Sequence, residues 1–172
     1  TDENQFGFQR SSSTTMCTWT VIETVAYFKR NGSSVFACLL DYRKAFDLVN
    51  HAKLFQILIA RKVPLVFVRI LIIIYLNQKC YVKWQQVRSY SFEVTNGTRQ
   101  GSVFSPTGGF GCYLDPLLQD LRNSGHGCRI GTNWYGALAY ADDVILLATS
   151  IHSLQSMVKI CEDHATQNVE LI

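Results

Sequence analysis

The sequence predicts a single α+β domain on three observations: hydrophobic residues make up 48% of its 172 positions, helical and strand patterning alternate without a regular repeat, and only 3 prolines interrupt them. A chain of this length and apolar content buries a sizeable core, which excludes a disordered tail. Sixteen Lys+Arg against thirteen Asp+Glu leave a formal charge of +3. That balance admits a polyanionic partner but excludes an arm-like basic composition. Six cysteines stand without a Cys-x-x-Cys pair, so zinc-knuckle and redox-motif readings have no support, and reduced intracellular thiols are expected. The glycosylation triplets at Asn31 and Asn96 then carry no weight.

A Ser/Thr cluster, Ser11 to Thr15, precedes Met16, Trp19, Ile22, Glu23 and Ala26 at three-to-four spacing, and Asn31-Gly32 follows. This is the N-cap, amphipathic face and C-cap of a first helix. Val35 to Leu40 is a short continuous apolar run, the pattern of a strand buried on both faces, and it ends at Asp41. Ala45 to Ala60 reads as a helix with Phe46, Val49, Leu54, Ile57 and Leu58 on or near one face. Val63 to Leu76 is the most apolar stretch, with Pro64 in its first turn and Arg69 inside it. It falls short of the roughly 20 apolar residues that a spanning helix needs, so a buried helix is expected.

Tyr81 to Val94 mixes Val, Trp, Tyr and Phe with polar residues, predicting a hairpin ahead of the turn Asn96-Gly97. Thr98 to Ser102 is a Gly-containing loop before Pro106, and a helix is predicted over Tyr113 to Arg122. After a Gly-rich connection (Gly125, Gly127, Gly131), Gly136 to Tyr140 and Val144 to Ala148 predict two strands around a tight Ala141-Asp142-Asp143 turn. Ser153 is expected to cap a final helix carrying Leu154, Met157, Val158 and Cys161.

Asp41 thus ends one apolar run, and Asp142 with Asp143 occupies a hairpin tip. If these strands are sheet neighbours, three carboxylates converge and repel one another unless a cation offsets them. Mg²⁺ is the natural counter-ion, because it accepts a few carboxylates alongside waters and substrate phosphates. Two such ions roughly 4 Å apart make the clamp used for in-line phosphoryl or nucleotidyl transfer. Strand alternation makes the two tip acids unequal, and Asp142 is ranked above Asp143. Taken singly, an Asp-Asp pair reads as a solvated turn and Asp41 as a strand end or helix cap. The constellation carries the chemistry.

The order Leu39-Leu40-Asp41-Tyr42-Arg43-Lys44-Ala45-Phe46-Asp47, then Asn96-Gly97-Thr98-Arg99-Gln100-Gly101-Ser102-Val103-Phe104-Ser105-Pro106, then Tyr140-Ala141-Asp142-Asp143 resembles the reverse transcriptase of non-LTR (LINE-like) retrotransposons. Gln5-Phe6-Gly7-Phe8, ahead of Ser13-Thr14, is similar to a fingers-side block of those enzymes. The resemblance implies a right-hand polymerase palm, an antiparallel sheet backed by helices, with partial fingers and no thumb. It implies one incomplete reverse transcriptase domain over 1–172, with a fingers-side segment at 1–34 and a palm with inserted fingers helices at 35–172.

The implied activity is RNA-directed DNA polymerisation, a two-metal transfer of dNTPs onto a primer 3′-hydroxyl. By the same resemblance, Asp41 and Asp142 hold two Mg²⁺ ions, for which Mn²⁺ can substitute, Asp143 is a less direct third acid, and the Tyr42 carbonyl is a backbone ligand. Phe46 matches the aromatic beneath the incoming sugar, which collides with a 2′-hydroxyl and favours dNTP over rNTP. Without the family it reads equally as a core aromatic. Gln100 and Gly101 match a loop packed against nucleotide and template, where Gly lets the backbone come close. Arg43, Lys44 and Arg99 could meet phosphates, although single basic residues near a turn otherwise read as solvated surface. RNA template, DNA primer and dNTP are the implied partners, with no membrane, and an intracellular location in nucleus and cytoplasm follows from the family's life cycle.

Two stretches depart from the family's pattern. Ser11 and Ser12 stand where a glycine and an arginine are usual, and Thr107-Gly108-Gly109-Phe110-Gly111-Cys112 stands where a Leu-Phe pair opens an apolar helix. Three glycines there would weaken a helix by roughly 1 kcal/mol each relative to Ala. The triphosphate-gripping fingers segment is expected before Thr1 and the thumb after Ile172, so these 172 residues alone are expected to show little or no polymerase activity. A non-enzymatic remnant that keeps the palm fold and binds RNA is the alternative reading. An RNA-templated RNA polymerase is disfavoured, because Phe46 predicts ribonucleotide exclusion and those enzymes more often place Gly where Ala141 stands.

Overall fold

The computed structural model describes residues 2–7, 9, 11–41, 49–97 and 111–168. Helix α1 (Thr14–Arg30) forms where its caps allow: the Ser13 side chain accepts a hydrogen bond from the Met16 N–H at 3.2 Å, and Lys29 and Arg30 face the negative end of the helix dipole. Asn31 ends it, and Gly32 at φ +73 turns the chain away. Just upstream, Ser11 adopts φ +63, a left-handed conformation that costs an L-residue roughly 1–2 kcal/mol and suits glycine. Ser11→Gly is therefore expected to stabilise the chain by about 0.5–1 kcal/mol, read as a higher urea midpoint at unchanged slope.

A three-stranded antiparallel sheet organises the rest, in the order β1 (Phe36–Asp41), β9 (Asp143–Ala148), β8 (Ala137–Tyr140). Residues 4–6 run alongside β8: Gln5 bridges Ala139 in parallel, the Ala139 N–H donates to the Asn4 carbonyl, and the Phe6 N–H donates to the Ala139 carbonyl, each at 2.8 Å. Alternation sorts the side chains into two faces. Val144, Leu146 and Ala148 of β9, with Ala137, Ala139, Cys38 and Leu40, form one face. It shares a core with α4 (Gly111–Asn123), α5 (Ile151–Asn168) and α2 (His51–Ala60), where Leu54, Leu117, Leu118, Leu121 and Met157 are fully buried. The other face, through Leu138, Ile145 and Leu147, meets Cys17, Val21 and Phe28 of α1. The architecture is α+β, as the patterning predicts.

Several elements differ from the expectations, each for a tertiary reason. β1 is not buried on both faces: its residues alternate half-buried and exposed, and Leu39 is 79% exposed. The strand lies at the sheet edge, and α1 packs on β8 at the other side. α2 starts at His51, because Asn50 supplies a cap, its side chain accepting from the Lys53 N–H at 3.1 Å; positions 45–48 of the predicted span lie outside the described residues. Helix α3 (Leu65–Leu76) is not a buried helix. Val68 and Tyr75 are buried against α2 and its neighbours, whereas Phe67 is 58% and Leu76 72% exposed.

The predicted hairpin forms as two nested ladders, β2 (Lys79–Cys80) with β5 (Phe92–Glu93) and β3 (Lys83–Trp84) with β4 (Val87–Arg88), reversing at Gln85-Gln86 with Gln85 at φ +51. The Gly-rich connection contains a further small hairpin, β6 (Arg129–Ile130) with β7 (Asn133–Trp134). Helix α5 is capped by Ser150, whose hydroxyl oxygen accepts from the Ser153 N–H at 3.2 Å. The Ser153 hydroxyl instead accepts from the Gly127 N–H at 3.1 Å, so the expected cap is a tie to the preceding loop. Cys17, Cys38, Cys80, Cys128 and Cys161 are free thiols, and burial pushes Cys128 up to about 11 and Cys161 up to about 12. No helix among the described residues is long and apolar enough to cross a membrane.

Candidate active site

The register of β1 against β9 brings the acids together. Asp41, the last residue of β1, lies directly opposite Asp143, the first of β9, and Tyr140 of β8 lies opposite Asp143 on its other side. Directly opposed residues in an antiparallel pair have Cα atoms about 4.5–5.5 Å apart and project to the same face. Asp41 and Asp143 are both exposed there, at the end of the sheet face that α1 covers. A groove of about 480 Å³ adjoins them, lined among others by Thr14, Cys17, Leu39 and Tyr140. Asp142 is half-buried and sits one residue earlier, in the loop between β8 and β9. The acid opposite Asp41 is thus the one ranked second from the sequence, with Asp142 its immediate neighbour.

Tight packing of the chain's own start shapes that loop. Ala141 takes φ +57, and the buried Gln5 amide reaches both its backbone groups: Gln5 Oε1 accepts from the Ala141 N–H and Gln5 Nε2 donates to the Ala141 carbonyl, each at 3.3 Å. Gln5 Oε1 also accepts from the Gly7 N–H at 2.9 Å. Sequence patterning gives no sign of these contacts. The block Gln5-Phe6-Gly7-Phe8 signalled the family, but periodicity holds no trace of a contact with a hairpin so far along the chain.

Two carboxylates facing each other across a ladder destabilise it in the absence of a counter-charge. Among the described residues no group of three or more His, Cys, Asp or Glu side chains is gathered to hold a metal ion. The donors present are nevertheless all carboxylate oxygens, which suit a hard divalent cation that keeps several waters or phosphate oxygens of its own. The donor chemistry of Asp41, Asp142 and Asp143 therefore fits such an ion. Tyr42, Phe46, Gln100 and Gly101, with Arg43, Lys44 and Arg99, lie outside the described residues.

Comparison with known proteins points the same way. The family profile described as reverse transcriptase (RNA-dependent DNA polymerase) matches residues 1–170. The chain is 32% identical over 122 residues, 71% of its length, to the Retrovirus-related Pol polyprotein from type-1 retrotransposable element R2 of Nasonia vitripennis. It is 30% identical over 125 residues, 73% of its length, to the Retrovirus-related Pol polyprotein from type-2 retrotransposable element R2DM of Drosophila melanogaster. The matched region is 12% of each of these relatives. Enzymes of the matched family generally use divalent metal ions, in keeping with an all-oxygen donor set. Because the profile spans every described strand and helix, the acid-tipped sheet included, the chain belongs to the reverse transcriptase family.

Proposed function

We propose that this chain is the palm-bearing part of an RNA-directed DNA polymerase, which adds dNTPs to a primer 3′-hydroxyl along an RNA template. The observation that carries the reading is the opposition of Asp41 and Asp143 at the end of the sheet, with Asp142 beside them in the loop. In this reading 1–34 lies on the fingers side and 35–172 is palm with inserted fingers helices. A sheet backed by α4 and α5 supports that layout. The family match over residues 1–170 favours a polymerase over a non-enzymatic remnant.

Asp41 and Asp142 would hold two Mg²⁺ ions, or Mn²⁺ in their place, with Asp143 as a supporting acid and Tyr42 offering its carbonyl. When bound, such ions lower the pKa of the attacking hydroxyl and neutralise charge on the triphosphate and the departing pyrophosphate. The chain's own contribution is placement. Asp41 and Asp143 come from separate strands whose spacing the ladder sets, so the backbone positions that carry the two carboxylates are fixed before substrate arrives. Phe46 excludes a ribose 2′-hydroxyl, and Gln100 with Gly101 packs against nucleotide and template. The enzyme acts inside the cell, in nucleus and cytoplasm, by its family's life cycle.

Calorimetric titration of the parent chain and of Asp142→Asn with Mn²⁺ tests the site. Binding by the parent and an affinity at least about tenfold lower in the variant are expected, since a bound cation loses one of its few charged ligands. Equal affinity in the two chains, or no binding by either, would remove the metal site and with it the polymerase reading.

A further inference from the structure

We propose that Gln5 is a positioning residue for the carboxylates at the tip of the β8–β9 hairpin, acting through the backbone of Ala141. The inference rests on the reading of Asp142 and Asp143 as metal ligands. Gln5 is only 2% exposed, and its amide satisfies both the N–H and the carbonyl of Ala141, the residue immediately before Asp142. Ala141 sits at φ +57, where an alanine has no conformational reason to stay. A two-residue hairpin loop with a glycine there would adopt that backbone unaided. With alanine, the side chain of Gln5 supplies the stabilisation that the loop residue lacks.

The clamp is itself fixed. Residues 4–6 are laddered to β8, and upstream Asp2 is paired with Arg122 at 2.8 Å while its N–H donates to the buried Asp115 at 2.8 Å. Gly7 completes it: a Cβ there would collide with the Ala141 backbone, coming within 3.0 Å of its Cα and 3.1 Å of the Tyr140 carbonyl carbon. The start of the chain therefore reaches the candidate site without lining it, and fixes the direction in which the tip acids point.

The test is Mn²⁺ affinity, measured by electron paramagnetic resonance, in the parent chain, in Gln5→Met, and in Gln5→Met combined with Ala141→Gly. Methionine keeps the length and burial of Gln5 but makes none of its hydrogen bonds. Gln5→Met is expected to bind Mn²⁺ at least about fivefold more weakly, and added Ala141→Gly to restore affinity to within about twofold of the parent, since glycine needs no clamp at this φ. Equal affinity in the parent and Gln5→Met overturns the inference and leaves the metal site standing. A loss that Ala141→Gly does not restore also overturns it, as the signature of general damage to the fold. No Mn²⁺ binding by the parent ends the metal-site reading and this inference together. Should Gln5→Met fail to fold, Gln5→Asn, one methylene too short to reach Ala141, takes its place with the same outcomes.

Discussion

Asp41→Asn is expected to move two observables in opposite directions: Mn²⁺ affinity falls by at least about tenfold, while the melting temperature without divalent cation rises slightly. Both follow from the register that sets Asp41 against Asp143. Like charges directly opposite in an antiparallel pair destabilise it by roughly 0.2–1 kcal/mol, and solvent screens these exposed carboxylates towards the low end. Removing one charge relieves that repulsion and should raise the melting temperature by about 0.5–1 °C in a chain of this size. The parent should gain about 2.7 kcal/mol from Mn²⁺ at a hundredfold excess over its dissociation constant, and the variant should lose most of that gain at the same concentration. Calorimetric melting with and without Mn²⁺ reads both effects. A variant no more stable than the parent in the absence of cation would contradict the proximity of the two acids.

The second large effect concerns stability. Leu146→Ala should cost about 3–4 kcal/mol, a substantial share of the roughly 5–15 kcal/mol by which a domain of this kind is folded. Leu146 is fully buried at the middle of the central strand, opposite Cys38 and Ala137, in the cluster that includes Leu117 and Met157. Truncation leaves a cavity bounded by strand backbone and two helices, which have little room to collapse into it. Ile73→Ala provides the control. Ile73 is 62% exposed on α3, and its truncation should change stability by no more than about 0.5 kcal/mol. Urea midpoints of the two variants decide the point, and comparable losses would mean that the apolar face of α3 is covered in solution.

Where the responsible interaction spans one helical turn or one hairpin, the reading of residues holds. Ser13 caps α1, Gly32 follows it at positive φ, and the Ala141 region turns β8 back into β9. Where two local signals compete, pattern alone misplaces the boundary. The Ala45 to Ala60 periodicity extends through Asn50, but a side chain able to bond the Lys53 N–H starts the helix there. The same holds for Ser150 against Ser153, since either hydroxyl is chemically fit to cap α5 and the loop at Gly127 engages one of them.

The order of the motifs, the three acids and the α+β class could all be read from residues in sequence, because patterning, capping and turn chemistry act over three or four positions and survive without knowledge of the fold. The edge position of β1, the exposure of α3, the meeting of Asp41 with Asp143 and the hold of Gln5 on Ala141 could not. Each depends on which distant segment packs alongside, and a strand or helix carries the same hydrophobic pattern whether a neighbour covers one face or both.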